Sequence, residues 1–261
     1  MKRKIFITTI IIIGSVVALF FYPLRSYLVM SVSTVVEQNK SIMAQKDFDI
    51  KLRGGWETSQ KDWYPFVMLF NDNGFKRYSG ENADLSILYN FGAFSRSQST
   101  IYDEDSEYYS AFYGAYVINS DSFGLTDGEL NLEELFKVME YDYSKLVIRD
   151  IGCPNPTFTI NDGVKSEIVP YIDIDGWTRA DASIMTNGIS HELQEFKLGY
   201  LQYGNPPATA NEDFPIIEIQ GRIYAKYFTE YDAIVVLYMM AKDASVIDEC
   251  DEMILSKTVI E

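Results

Sequence analysis

The sequence predicts an α+β protein: an N-terminal transmembrane helix followed by a mainly antiparallel, β-rich domain with a few helices. Three observations carry this expectation. The chain opens on a long stretch without charge. Most of the remaining chain consists of short runs rich in Val, Ile, Tyr and Phe, separated by turn residues. Helical patterns interrupt these runs without alternating with them regularly, which disfavours a doubly wound sheet.

The opening element is the run of 20 uncharged residues between Lys4 and Arg25. At ~1.5 Å per residue it reaches about 30 Å as a helix, the thickness of a hydrocarbon core. Its apolar stretch gives way to Phe20, Phe21, Tyr22 and Pro23, which suit a signal-peptidase site poorly. The first small-x-small triplet, Ser31-Val32-Ser33, lies well downstream. A retained anchor over residues 5–24 is therefore expected, with residues 1–4 in the cytoplasm. Lys2, Arg3 and Lys4 before the span, against Arg25 and Lys40 after it, favour that orientation.

Residues 25–46 read as a juxtamembrane helical stalk. Leu28, Val32, Val35, Asn39 and Ile42 repeat at a 4-3-4-3 spacing over about two heptads, which reads first as a stalk helix packing on its own domain and second as a short coiled coil, a candidate homodimer seam. The extracytoplasmic α+β domain is expected over residues 47–261.

Within it, "FDIKLRGG", "WYPFVMLF", "FKRYSG", "DLSILYNFGAF" and "YSAFYGAYVINS" carry strand patterns. Asn73-Gly74 reads as a hairpin turn. "DGELNLEELFKVMEYDYSKL" predicts a helix capped by Asn131, with Leu132, Leu135, Phe136 and Met139 on one face. "KLVIRDIGC" and "KSEIVPYIDI" resume the strand pattern, Pro170 marking an edge. "HELQEFKLGYLQYG" suits a short helix. "FPIIEIQG", "RIYAKYF" and "AIVVLYMMA" suggest further strands, "DASVIDECDEM" a helix, and "ILSKTVI" closes the chain.

Charge excludes some partners. The four charged side chains among the first 30 residues are all basic, so the remainder holds 18 basic and 38 acidic residues, a net charge of −20. That field repels nucleic acid. Two cysteines do not make a disulfide scaffold. Cys153 and Cys250 are nonetheless a candidate bridge in an oxidising compartment, closing a long loop.

Catalytic signatures fail on inspection. "HELQEF" lacks the second histidine that a zinc protease needs one helical turn on, and His191 is the chain's single histidine. "SFGLTDGELNLEEL" has the glycine and glutamate of a calcium loop, but Phe123 and Leu125 stand where oxygen ligands are required. Asp173 and Asp175, two apart on an expected strand, form a candidate site for a divalent cation beside the commoner reading of a solvated acidic turn. Tyr108, Tyr109 and Tyr113, beside the acids of "YDEDSEYY", are candidate stacking residues for a sugar ring. The sequence thus favours a membrane-anchored binding or interaction module with a protein partner and no resident cofactor. A cell-envelope domain that binds or hydrolyses carbohydrate through carboxylates and aromatics is the alternative.

Overall fold

The computed structural model describes residues 2–20, 22–54, 66–91, 104–120, 123–149, 153–161, 163–189 and 214–261. The chain begins with helices α1 (Lys2–Phe20), α2 (Tyr22–Gln38) and the single turn α3 (Ile42–Gln45). Strands β1 (Ile50–Lys51) and β2 (Phe66–Asp72), helix α4 (Phe75–Ser79) and strands β3 (Ala83–Phe91) and β4 (Phe112–Ser120) come next. A two-residue hairpin, β5 (Leu125–Thr126) and β6 (Glu129–Leu130), leads into α5 (Leu132–Tyr141) and a π-helix over Asp142–Ile148. The rest is β7 (Phe158–Ile160), β8 (Lys165–Tyr171), β9 (Ile174–Asn187), β10 (Ile216–Phe228), β11 (Ala233–Ala241), α6 (Ala244–Met253), a 3-10 turn over Leu255–Lys257 and β12 (Val259–Ile260).

The fold is a mixed α+β structure dominated by one antiparallel sheet. Strand order runs β2-β3-β4-β11-β10-β9-β7, with β8 also pairing with β9. Two meanders therefore meet where β4 lies against β11, registered from Ile234 opposite Ile118 to Met240 opposite Phe112. The central strand β11 is buried along its whole length, as its unbroken apolar sequence requires. Its side chains alternate between two cores. Ile234, Val236, Tyr238 and Met240 join the core beneath α4, α5 and the π-helix. Val235, Leu237 and Met239 join the core beneath α3 and α6.

Local chemistry explains several elements. The Asn131 side chain accepts from the Glu134 amide at 3.3 Å, starting α5, while the Glu134 carboxylate reaches back to the Gly124 amide at 2.5 Å. Leu135, Phe136 and Met139 bury the expected face. Asp127 and Gly128, both at positive φ, form the turn between β5 and β6. Ile172 and Asp173 do the same between β8 and β9. The register of β8 on β9 shifts between Val169 and Tyr171, at Pro170, on the sheet edge.

Three expectations are corrected. Asn73-Gly74 does not turn a hairpin directly. The Asp72 carboxylate accepts from the Phe75 amide at 2.6 Å, "FKRYS" becomes α4 instead of a strand, and Gly80 at φ 77° closes it. Gly74 itself has a helical φ of −79°, and its small size matters because a Cβ there would lie 2.4 Å from the Tyr141 hydroxyl. "KLVI" is not a strand, since α5 runs on into the π-helix and buries Ile148. The stalk is not one helix through residue 46. It breaks after Gln38, Ser41 caps α3 by accepting from the Ala44 amide at 3.1 Å, and Ile42 is buried in a core away from any seam. Among the described residues no helix is long and apolar enough to cross a membrane. The helix expected in "HELQEFKLGYLQYG" lies outside the described residues.

Candidate functional site

Helices α2 and α3 and the sheet edge form one structural unit. Strand β2 is the edge of the sheet, so its outward backbone groups need partners. Helix α2 supplies them from a polar face. The Thr34 hydroxyl accepts from the Leu69 amide at 3.3 Å. The Asn71 side-chain amide donates to the Glu37 carbonyl at 2.8 Å and to its carboxylate at 3.0 Å. These bonds hold the Glu37 carboxyl below its ordinary range, first through Asn71 and then through Lys40. Met30 is buried against the same side.

The opposite face of α2 is apolar and turned outward. Leu28, Val29, Val32, Val35 and Val36 are 44–67% exposed. Further toward the N-terminus, every residue from Phe6 to Val16 in α1 is exposed, including four consecutive isoleucines, Ile10 to Ile13.

Clefts flank α2 on both sides. One, of about 400 Å³, is lined by Ser33, Glu37, Asn71, Asp72, Asp84 and Ser86 among others. Its acids are already engaged: Glu37 by Asn71 and Lys40, Asp72 by the Phe75 amide and the Tyr141 hydroxyl, Asp84 by Lys76 at 2.7 Å. The other cleft, of about 380 Å³, has Met43, Phe48, Leu52, Val67 and Leu88 in its wall.

A second concentration of chemistry lies inside the core. Asp142, 1% exposed, opens the π-helix and points into the sheet. Tyr116 donates to it at 2.8 Å and Tyr238 at 3.3 Å, and Tyr89 donates to its other oxygen. The Tyr116 and Tyr238 rings stack at 4.4 Å. Burial pushes the Asp142 carboxyl up to about 6, against the lowering effect of the three hydroxyls, and nearby Asp72 pushes the same way. The same burial and the neighbouring carboxylate hold the Tyr89 and Tyr116 hydroxyls protonated as donors, well above their ordinary range. Sealed from solvent, this centre braces α5 to three strands and offers no path to a substrate.

On the other face, Arg222 ties α6 to the sheet. Its guanidinium meets Asp181 at 2.6 Å, Asp248 at 3.0 Å and Asp251 at 3.1 Å. Tyr171 and Tyr224, stacked at 3.7 Å, each donate to Asp251 at 2.6 Å.

The residues singled out from the sequence do not converge. Asp173 occupies the β8–β9 turn and Asp175 the start of β9, so they do not alternate along one strand. Among the described residues no group of three or more His, Cys, Asp or Glu side chains is placed to hold a metal ion. Tyr108, Tyr109 and Tyr113 are buried, so they offer no open platform for a sugar. Tyr108 donates to Glu249 at 2.6 Å, Tyr113 donates to the Arg53 carbonyl at 3.1 Å, and burial pushes Tyr109 up to about 12. Glu104, Asp105 and Glu107 are exposed, whereas Asp103 and His191 lie outside the described residues. Cys153 sits in the core beneath α5 and Cys250 in the core beneath α6, and the two are not bonded to each other.

Sequence reasoning had no means of finding Asp142, because its donors come from positions 89, 116 and 238. The inverted polarity of α2 was visible only as a seam. Comparison with protein-family models, with curated proteins and with solved structures finds no match to this chain.

Proposed function

We infer that the chain is a single-pass membrane protein. In this reading residues 5–24 are the anchor and residues 25–46 the stalk. Residues 47–261 are an acidic binding or interaction module outside the cytoplasm. The observation that carries it is the exposure of every residue from Phe6 to Val16 on an apolar helix. Seven of these are large apolar side chains, at 47–66% exposure, on all sides of the helix. In water each such side chain, about half exposed, forgoes about 1–2 kcal/mol of burial, which lipid restores. The uncharged run continues through Leu24, into the first turn of α2, long enough to span. The basic residues ahead of it favour a cytoplasmic N-terminus, and the acidic domain then stands away from anionic cytoplasmic lipid.

The module reading draws on the described site: its buried carboxylate is structural, its cleft acids are satisfied, and its unsatisfied feature is a surface. Alkaline carbonate washing of membranes tests the anchor. The protein should remain in the pellet, and its release into the supernatant would refute the span. Protease added to intact cells stripped of any outer barrier tests the side. The domain should be removed there, and protection until lysis would reverse the orientation.

A further inference from the structure

We propose that a partner of this module is a second copy of the same chain, docked in parallel along the outward face of α2. The proposal rests on the membrane anchor of the proposed function. Leu28, Val29, Val32, Val35 and Val36 occupy an arc of about 120° at 100° per residue. No charged residue occurs from position 26 to position 36, in a chain whose remainder is strongly anionic. Two anionic domains repel one another over most of their surface, and an uncharged stripe lets them approach.

The stripe cannot roll inward to bury itself. The bonds from Thr34 to Leu69 and from Asn71 to Glu37, with Met30 packed beneath, fix the opposite face against β2. A copy of this chain fits the stripe better than an unrelated surface does. Leu28 and Val35 fall on one heptad position and Val32 on the other, with Asn39 next in register just past the helix end. Val32 at the first seam position and Leu28 at the second match the pattern that favours two parallel strands, while Val35 at the second position departs from it. Identical anchors deliver identical stripes in the same direction and register.

Length sets the conditions. Nine residues, Leu28 to Val36, rise only ~12 Å, far short of the area of an interface stable in solution. Confinement by two anchors raises the effective concentration and makes so short a seam sufficient. The stripe also lies beyond Arg25, with Val36 ~16 Å farther along the helix, outside the hydrocarbon core.

The test is oxidative cross-linking of the full chain in its membrane, with single cysteines placed in turn from Leu28 to Val36. The unsubstituted chain supplies the background, since Cys153 and Cys250 are fully buried. Leu28→Cys, Val32→Cys and Val35→Cys should give several-fold more covalent dimer than Ser31→Cys or Thr34→Cys. Adding Val32→Glu and Val35→Glu should abolish the Leu28→Cys product while leaving the domain's thermal transition in place, because both side chains are exposed. A flat profile in membranes that retain the protein through alkaline washing overturns the dimer and leaves the anchor standing. Release on washing overturns both. Protection of these cysteines from alkylation without any dimer assigns the stripe to a different partner and overturns the second copy.

Discussion

Replacing Asp142 by asparagine should remove a specific pH dependence from the domain's stability. Burial lifts the carboxyl from 3.8 to about 6, so the folded state holds its proton more tightly than the unfolded chain does. The wild-type protein therefore gains stability from this group as pH falls through about 6, and the gain is complete once pH is below the unfolded value. It loses that contribution as pH rises. A shift of about two units corresponds to roughly 3 kcal/mol. Asparagine cannot titrate, and its single carbonyl oxygen still accepts from part of the tyrosine trio. Urea unfolding of the detergent-solubilised full chain, followed by intrinsic fluorescence at intervals from pH 4 to pH 7, measures the effect. The other carboxylates titrate alike in both proteins, so they cancel in the difference between wild type and Asp142→Asn. That difference should favour wild type by about 2.5 kcal/mol more at pH 4 than at pH 7, short of the full span because the unfolded carboxyl is already partly ionised at pH 4. A flat difference, or one growing toward pH 7, would refute the argument that burial dominates over the three hydroxyl donors.

Gly114→Ala should destabilise the sheet by about 1–3 kcal/mol, as overpacked cores do, and lower the thermal midpoint. A Cβ at that position would lie 2.5 Å from the Leu88 carbonyl and 2.8 Å from the Tyr238 hydroxyl, so an unchanged midpoint would mean that β4 can move away from its neighbours. Arg222→Met should weaken the docking of α6 by about 2–3 kcal/mol in urea unfolding, less than a fully buried network because Asp181 and Asp248 are well exposed. Thiol titration of the unreduced protein should find two reactive thiols per chain in denaturant and none in the native state, since Cys153 and Cys250 are buried in separate cores.

Much of the sheet was legible because its strands obey local rules. β11 is a continuous apolar run and β3 and β4 are rich in aromatic and β-branched residues, while Asn131 and Glu134 announce α5 by direct chemistry with the backbone. Long-range demands override the same rules elsewhere. Asn73-Gly74 has the composition of a hairpin, yet the Asp72 carboxylate and the buried Phe75 ring draw the chain into a helical turn. Leu146, Val147 and Ile148 suit a strand, but they come after Asp142, whose carboxylate is claimed by Tyr89, Tyr116 and Tyr238, and the chain stays helical to bring it there. No window of sequence contains that requirement. The tyrosines near position 110, which suit a sheet core as well as a sugar platform, were ambiguous for a related reason. Aromatic density reads alike for an open ligand platform and for a closed core, and only distant partners decide between them: β11 beside Tyr113, Glu249 bonded to Tyr108 and Gly188 against the Tyr109 ring.

The stalk joins these two levels of information. Its 4-3 spacing is a local property, but which face of α2 meets the domain depends on what the domain offers. An edge strand offers unpaired amides and carbonyls, and an apolar helix face laid on them would leave the buried Leu69 amide without a partner, at about 1–3 kcal/mol, and take from the Asn71 side-chain amide its bonds to Glu37. The polar face of Thr34 and Glu37 avoids that penalty. Turning it inward leaves Leu28, Val29, Val32, Val35 and Val36 outward, 44–67% exposed. Among the described residues nothing covers these side chains, and in the proposed reading an external apolar surface beside the membrane does so. In the proposed dimer an identical helix, anchored at the same depth, covers them with the same residues at the same heights.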